Sequence, residues 1–218
     1  MRPVTNHLFG VEVVDPYRWM EDWKSAEFRA WLKAENDFAR ATLDAIPVRK
    51  KLLDELRRLD ASLDLFPSAL NPVGRRFFYM QTPPPTDVFQ LFVRDGTDGR
   101  ERRIFDPRTL PSPDGSHVSL DLYHAAPDGE HVVCRVSRGG SEETTLYVIA
   151  TETGRTIGQP LERAESGNAN WHPNGRGFFY KRRPFPDEPV ADALPAERRL
   201  VYLHSLGADP KHDRPVFG

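Results

Sequence analysis

A turn that recurs three times constrains the fold of this chain more than any other feature of its sequence. The turn has the pattern x-Pro-x-Gly, and a short aromatic or β-branched run follows each copy: Asn71–Gly74, Ala126–Gly129 and His172–Gly175. A further run of this kind begins at Leu91, Leu146 and Val201, so the units are 55 residues apart. Repeats of roughly 40–50 residues with several short strands are typical of β-propellers, in which each repeat forms one antiparallel blade.

The prolines are distributed unevenly along the chain. Of the 20 prolines, 3 lie in residues 1–66 and 17 lie in residues 67–218. Proline is poorly tolerated inside helices and central strands but is common between elements. We therefore predict a helical segment over residues 1–66 and a partial β-propeller of about three blades over residues 67–218. The fold class is mainly β with an N-terminal α segment.

Six short runs after residue 66 have the composition of strands. They are Arg76–Tyr79, Leu91–Val93, His131–Val133, Leu146–Val148, Gly177–Tyr180 and Val201–Leu203. The third unit contains nine additional residues, which indicates a loop insertion near 184–189. A β-sandwich with coincidental spacing is the alternative, because three units are few. Three blades do not close a ring, since propellers typically contain four to eight.

Two amphipathic helices are predicted in the first third of the chain. Apolar residues recur at helical spacing over residues 26–45 and again over 48–60, with Ser25 as an N-cap and Pro47 between the helices. The second helix also carries a basic cluster of Arg49, Lys50, Arg57 and Arg58. We interpret this cluster as a solvated helix face, because acidic residues are interleaved with it. A site for a phosphate-bearing partner is the alternative.

Composition excludes several classes of protein. Lysine and arginine total 30 against 32 acidic residues, so the net charge of −2 argues against nucleic-acid binding. No apolar run approaches the roughly 20 residues of a membrane helix, and the N-terminus has no secretory signal. Cys134 is the only cysteine, which excludes a disulfide framework. These features favour a cytoplasmic location with no membrane and no nucleic-acid partner.

The residue patterns of common catalytic sites are missing from this sequence. No Gly-x-Ser-x-Gly nucleophile turn occurs, and Gly139-Gly140-Ser141 is interpreted as a hairpin turn. The seven histidines lack zinc-ligand spacing, and no phosphate-binding glycine loop is present. Cys134 lies in an apolar run and is interpreted as a buried, inert thiol. We therefore predict no catalytic, cofactor-binding or metal-binding residue, and no cofactor.

Several motifs in this sequence resemble those of the prolyl oligopeptidase family, and together they cover essentially all 218 residues. The most specific is His7–Asp22, which resembles the opening segment of the family. The others, in the family's order, are Trp31–Asn36, Phe105–Pro107, Pro127–Gly129, Gly139–Glu142, Trp171–Tyr180 and His204–Gly207. In the first motif, Tyr17 and Trp19 are interpreted as amphipathic anchors, as is Trp23 just after it.

The resemblance implies a two-part serine endopeptidase that cleaves short peptides, typically after proline. In the family, a seven-bladed propeller caps an α/β-hydrolase domain and gates substrate access, and the N-terminal helical segment packs on the hydrolase domain. Residues 67–218 match about three blades, whereas the hydrolase domain and its Ser-Asp-His triad have no counterpart here. The segment 166–170 lies where some members place an apolar substrate contact, but it is polar here and no contact is transferred.

Three interpretations follow from the resemblance. The chain is the N-terminal portion of a prolyl-oligopeptidase-like enzyme, inactive alone, whose partners are short proline-containing peptides and the missing hydrolase portion. Alternatively, it is a non-catalytic partial-propeller binding module that pairs with another chain through exposed strand edges. The third interpretation is a truncated gene, a frameshift or a chosen expression boundary. We also expect Phe28, Trp31 or Leu43 to be exposed, because the domain that should cover them is missing.

Overall fold

The chain divides into two units in this computed structural model, one over Met1–Asp64 and one over Leu65–Gly218. The residues described are 2–61, 67–165, 167, 169–186, 188 and 199–218. We call the two parts the N-terminal unit and the propeller unit. The loop insertion predicted near 184–189 lies only partly inside the described residues, as does the segment 166–170.

The N-terminal unit begins with a short antiparallel hairpin of β1 (Val4–Leu8) and β2 (Val11–Asp15). Phe9 and Gly10 form the turn, both with positive φ (52° and 80°), which is the geometry of a two-residue hairpin loop. The sequence did not reveal this hairpin, because the turn lacks the usual Asn-Gly or Asp-Gly pair.

Both predicted helices are present, as α1 (Ala26–Asp44) and α2 (Arg49–Ala61). Ser25 caps α1 as predicted, because its hydroxyl accepts a hydrogen bond from the backbone N–H of Phe28 at 3.1 Å. A short 3₁₀ turn over Arg18–Glu21 precedes this cap.

The propeller unit contains three successive four-stranded antiparallel units, which we call blades. Blade 1 is β3 (Ser68–Val73), β4 (Arg76–Gln81), β5 (Gln90–Asp95) and β6 (Arg102–Phe105). Blade 2 is β7 (Val118–Ala125), β8 (His131–Arg138), β9 (Thr144–Ala150) and β10 (Thr156–Ala164). Blade 3 is β11 (Asn170–Trp171), β12 (Gly177–Arg182), β13 (Leu200–Ser205) and β14 (Arg214–Phe217). The 55-residue period is therefore the repeat of one blade, and none of the described sheets closes into a ring.

Blades 2 and 3 belong to one continuous hydrogen-bonded sheet. The end of β10 pairs with both β9 and β12, because Ala164 lies between Thr144 of β9 and Arg182 of β12. The N–H of Arg183 then donates to the carbonyl of Arg163 at 3.2 Å, and the N–H of Glu165 donates to the carbonyl of Lys181 at 3.1 Å. These backbone bonds fix blade 3 against the last strand of blade 2.

Two apolar layers hold the blades together. The first combines Phe78 and Leu91 of blade 1 with Val132, Cys134 and Ile149 of blade 2, and the second combines Val133, Leu146 and Val148 of blade 2 with Phe178 and Tyr202 of blade 3. Successive side chains of a strand point to opposite faces. Strands β8 and β9 are therefore apolar on both faces, which is why they read as continuous apolar runs in the sequence.

The repeated turns contact one another from blade to blade. Arg76, which follows the first turn, donates a hydrogen bond to the carbonyl of Gly129 in the second turn at 2.7 Å. In the third turn, an ideal Cβ on Gly175 would lie 2.6 Å from the carboxylate of Asp128. The glycine of each turn supplies a positive φ, and Gly175 also leaves room for Asp128 of the neighbouring blade.

Gly177 begins β12 where the backbone of β13 approaches most closely. An ideal Cβ at this position would lie 2.4 Å from the carbonyl oxygen of His204. We expect Gly177→Ala to lower the free energy of unfolding by about 1–3 kcal/mol, the usual cost of overpacking. Gly167→Ala is the matched control. An ideal Cβ at Gly167 would lie 3.9 Å from the carbonyl oxygen of Glu165, which is an ordinary contact distance. Urea unfolding measures both variants, and equal midpoints would contradict the close-approach explanation.

Asp106 stabilises the segment that follows β6, the last strand of blade 1. Its carboxylate accepts hydrogen bonds from the side chain of Arg108 at 2.7 and 3.0 Å, from the backbone N–H of Arg108 at 3.1 Å and from Arg103 at 3.2 Å. The hydrogen bond from the Arg108 side chain is the largest of the effects that hold the pKa of Asp106 below its ordinary value of 3.8. This explains the Phe105–Pro107 motif as a structural cap.

We expect Asp106→Asn to lower the free energy of unfolding by about 1–3 kcal/mol at pH 7, because charge-assisted hydrogen bonds are lost. The folded pKa is below the unfolded one, so this stabilisation is present above about pH 4 and is lost as the pH falls through the folded pKa. The difference between Asp106→Asn and the unchanged chain should therefore shrink between pH 5 and pH 2 in urea unfolding. A difference that does not change with pH would contradict this assignment.

Candidate domain interface

The N-terminal unit has no apolar core of its own. No side chain between residues 2 and 60 is buried, although both helices are amphipathic. The apolar stripes are exposed instead; they comprise Trp31, Leu32, Phe38, Leu43, Leu52, Leu56 and Leu59. In proteins, most helical stability comes from packing of the amphipathic face. A large exposed apolar surface of this kind marks an interaction site.

An aromatic cluster joins the beginning of α1 to the segment before it. The ring centres of Trp19, Phe28 and Trp31 lie 5.9–6.4 Å apart. Of the three predicted anchors, Trp19 packs within the unit, whereas Tyr17 and Trp23 are more than half exposed. The prediction that Phe28, Trp31 or Leu43 is exposed is confirmed for Trp31 (38%) and Leu43 (45%), whereas Phe28 is half-buried.

The turn of the N-terminal hairpin presents another apolar side chain. Phe9 is fully exposed and has a φ of 52°, which is rare for a bulky residue. Val11, Val13 and Val14 of β2 are also exposed. The hairpin and the helices therefore offer separate apolar surfaces, and none of the side chains from residue 2 to residue 60 is buried.

The basic cluster of α2 is paired with carboxylates. Lys50 and Arg57 contact Asp54 at 2.6 and 3.7 Å, and Arg58 contacts Glu55 at 2.6 Å. Arg49 contacts Asp44 at the end of α1 at 3.0 Å. The hydrogen bond from Lys50 lowers the pKa of Asp54, as the one from Arg58 does for Glu55. These pairs favour the solvated-face interpretation over a phosphate site.

A buried histidine–carboxylate pair in blade 3 is the arrangement closest to catalytic geometry. Nδ1 of His204 lies 3.0 Å from both carboxylate oxygens of Asp213, and the two side chains are 2% and 3% exposed. Asp213 also accepts a hydrogen bond from the hydroxyl of Tyr180 at 2.8 Å, so this hydroxyl occupies the place that a nucleophile would take in a catalytic triad. A nucleophile must reach substrate, but this hydroxyl is enclosed and burial raises its pKa far above the ordinary value of 10.

Within the described residues, no other catalytic constellation is formed. In this part of the chain, the hydroxyls of Ser25, Ser112, Ser116, Ser137 and Ser141 bond to carboxylates, backbone atoms or one another, and no hydrogen bond joins a serine hydroxyl to a histidine ring. No group of three His, Cys, Asp or Glu side chains in that part of the chain is arranged to hold a metal ion. No described helix has the length and apolar character needed to cross a membrane.

Two local predictions are confirmed. Gly139 and Gly140 have φ values of 57° and 75° and form the turn between β8 and β9, where the N–H of Ser141 donates to the carbonyl of Arg138 at 2.9 Å. Cys134 is completely buried, and burial raises the pKa of its thiol well above 9. Neither feature offers a reactive group at the surface.

The outer face of blade 1 carries a shallow cavity of about 280 Å³. Leu70, Phe77 and Tyr79 line it together with Arg94 and Glu101. Burial and the hydrogen bond to Glu101 (2.6 Å) raise the pKa of Tyr79 to about 12, so its hydroxyl remains a donor. The cavity lies on a blade face and is slightly smaller than typical ligand pockets of 300–1,000 Å³.

The segment between β10 and β11 combines polar contacts with one buried apolar residue, Ala169, which belongs to the second apolar layer. Arg135 of blade 2 donates to the carbonyl of Gly167 at 3.2 Å, and its Nε lies 3.9 Å from Asp121. Asp121 also accepts a hydrogen bond from Ser137 at 2.8 Å. Ser166 and Asn168 lie outside the described residues.

Sequence reasoning did not identify the buried polar cluster around Arg182. This guanidinium is fully enclosed, and its Nη2 lies 2.6 Å from Oε1 of Glu188. The rings of Tyr202 and Phe185 lie 3.7 and 4.4 Å from its central carbon. Nothing in the sequence marks this residue, because its partners lie in different strands and in a connection that is longer than its counterparts in the other blades.

Comparisons with known proteins agree with this arrangement of blades. The family model for the prolyl oligopeptidase N-terminal beta-propeller domain matches residues 1–218. A prolyl endopeptidase of Elizabethkingia meningoseptica is 25% identical over 215 residues, which cover 98% of this chain and 30% of that protein. Prolyl oligopeptidase A of Amanita bisporigera is 29% identical over 226 residues, which cover 93% of this chain and 29% of that protein.

Solved structures give the same correspondence. A chain from a structural and mechanistic analysis of two prolyl endopeptidases superposes with a TM-score of 0.81 at 30% identity, over 98% of this chain and 31% of that one. Oligopeptidase B from Leishmania major superposes with a TM-score of 0.71 at 20% identity, which bears on the fold alone. The chain thus spans about 30% of the length of the relatives it matches. It belongs to the prolyl oligopeptidase family and corresponds to the N-terminal propeller region of its members.

Proposed function

We propose that this chain is the N-terminal portion of a serine endopeptidase that cleaves short peptides after proline. The observation that carries the proposal is the match of the whole chain to the family's N-terminal domain, at about 30% of the relatives' length. The relatives are named for prolyl endopeptidase and prolyl oligopeptidase activity. In this proposal the nucleophile, acid and base all come from the hydrolase portion.

The N-terminal unit would then contribute to the enzyme through its exposed surface. Its helices expose Trp31, Leu32, Phe38 and Leu43, and this surface is unfavourable in water. A hydrolase domain packed on these side chains would provide the missing core. The division of the chain into a helical part over 1–66 and a propeller part over 67–218 follows from this proposal.

The propeller part would control which substrates reach the catalytic site. A ring of blades placed over the site admits short peptides and excludes folded proteins. A closed site also excludes water, which strengthens electrostatic stabilisation of the oxyanion in the transition state. We place the enzyme in the cytoplasm, in keeping with a single buried thiol.

The catalytic part of the proposal predicts that the 218-residue chain alone does not hydrolyse a chromogenic Gly-Pro anilide. The same chain as part of a complete peptidase should hydrolyse it, and a serine-directed inhibitor should abolish the reaction. Release of the chromophore at pH 7 measures both. Inhibitor-sensitive turnover by the 218-residue chain alone would overturn the proposal.

The interface part predicts that the chain alone binds an environment-sensitive hydrophobic dye at the helices. Phe38 is 70% exposed, so Phe38→Ser should reduce dye fluorescence while changing the free energy of unfolding by less than about 0.5 kcal/mol. Lys33→Ser on the same helix is the matched control and should leave the fluorescence unchanged. Equal fluorescence for Phe38→Ser and Lys33→Ser would contradict an exposed apolar interface.

A further inference from the structure

The buried polar side chains of blade 3 form one continuous chain of hydrogen bonds and ion pairs. Glu188 contacts Arg182 at 2.6 Å, and Nε of Arg182 donates to the hydroxyl of Tyr180 at 3.1 Å. That hydroxyl donates in turn to Asp213 at 2.8 Å, and Asp213 is also contacted by Nδ1 of His204 at 3.0 Å. We call this network of side chains the blade 3 relay.

The relay connects the two ends of the blade. Glu188 lies in the connection from β12 to β13, whereas Asp213 lies at the end of the connection from β13 to β14. Since β12, β13 and β14 are successive antiparallel strands, these connections are at opposite ends of the sheet. Glu188 and Asp213 therefore have no direct contact, and any interaction between them must pass through the strands.

Tyr180 is the centre of the relay because its hydroxyl has two roles. Its single proton is donated to Asp213, and a lone pair accepts the proton of Arg182 Nε. Hydrogen bonds that share one group polarise each other in a low-dielectric interior, so each is stronger when the other is present. Removal of this hydroxyl leaves both charged partners in place but separates them.

Two residues after β12, Phe185 and Glu188, contact the strands at further points. Glu188 also accepts a hydrogen bond from the hydroxyl of Tyr202 at 2.8 Å, and the ring of Phe185 lies 4.4 Å from the central carbon of the Arg182 guanidinium. Buried charged networks often add little to net stability, but they can specify one arrangement of the chain. A role in positioning therefore fits these contacts better than a role in stability.

We infer that Glu188 and Asp213 are energetically coupled through Arg182 and Tyr180, so that the relay positions Glu188 at one end of blade 3 together with Asp213 at the other. The inference concerns this chain's own fold and stands apart from the peptidase proposal. It names Arg182 and Tyr180 as positioning residues for Glu188.

A double-mutant cycle in the 218-residue chain tests the coupling. Each single variant, Glu188→Gln or Asp213→Asn, should change the unfolding equilibrium constant by some factor. The factor for the double variant should be smaller than the product of the two single factors, by at least about threefold. In a Tyr180→Phe background, the two changes should become multiplicative. Glu165→Gln is the matched control, since Glu165 has the same 16% side-chain exposure and contacts Lys181 and Arg199 outside the relay. It should combine multiplicatively with Asp213→Asn.

Multiplicative effects in the unchanged background, or equal coupling with and without the Tyr180 hydroxyl, would overturn the inference. Hydrogen exchange on Tyr180→Phe covers the case in which Asp213→Asn fails to fold. The amides of Glu188 and Asp213, which donate to Phe185 and Pro210, should both exchange about tenfold faster, while that of Gly129 in blade 2 stays unchanged. Faster exchange at only one of the two amides, or at neither, would also overturn it.

Discussion

The structure depends on one constraint, which is that a blade with two apolar faces must be covered on both. Blade 2 shows this directly, because Val132 and Ile149 face blade 1 whereas Val133 and Val148 face blade 3. Burying one such side chain is worth about 1.5–3 kcal/mol, so the two layers supply most of the driving force for this part of the chain. The backbone bonds between β10 and β12 and the contacts between the repeated turns then fix the angle between neighbouring blades.

The same constraint explains the contrast between the two units. The propeller unit covers its central strands with its own blades, whereas the N-terminal unit exposes the apolar faces of both helices. Such faces are stable only when another domain packs on them. Membership of the prolyl oligopeptidase family gives that observation a physical meaning, since the chain corresponds to about 30% of its relatives. We therefore regard the helices as one half of an interface.

The sequence predicted the central strands well because they are apolar on both faces. All six strand runs correspond to the second and third strands of the blades. Four of the six first and fourth strands were missed for a physical reason: β11 has two residues, and β3, β10 and β14 contain Pro72, Pro160 and Pro215. Proline is confined to strand edges and ends. The other two, β6 and β7, contain no proline and this reason does not apply to them. The blade 3 relay was also not predictable, because Tyr180 and Asp213 are separated by 33 residues.

The central claim is that the helices of this chain are completed by another domain, whereas the blades cover one another. Hydrogen exchange of the 218-residue chain, compared with the same chain inside a complete peptidase, tests this most directly. We predict that amides of α1 and α2 are protected only in the complete peptidase, while those of β8 and β9 are protected equally in both. Equal protection of the helices in the two forms would contradict the account.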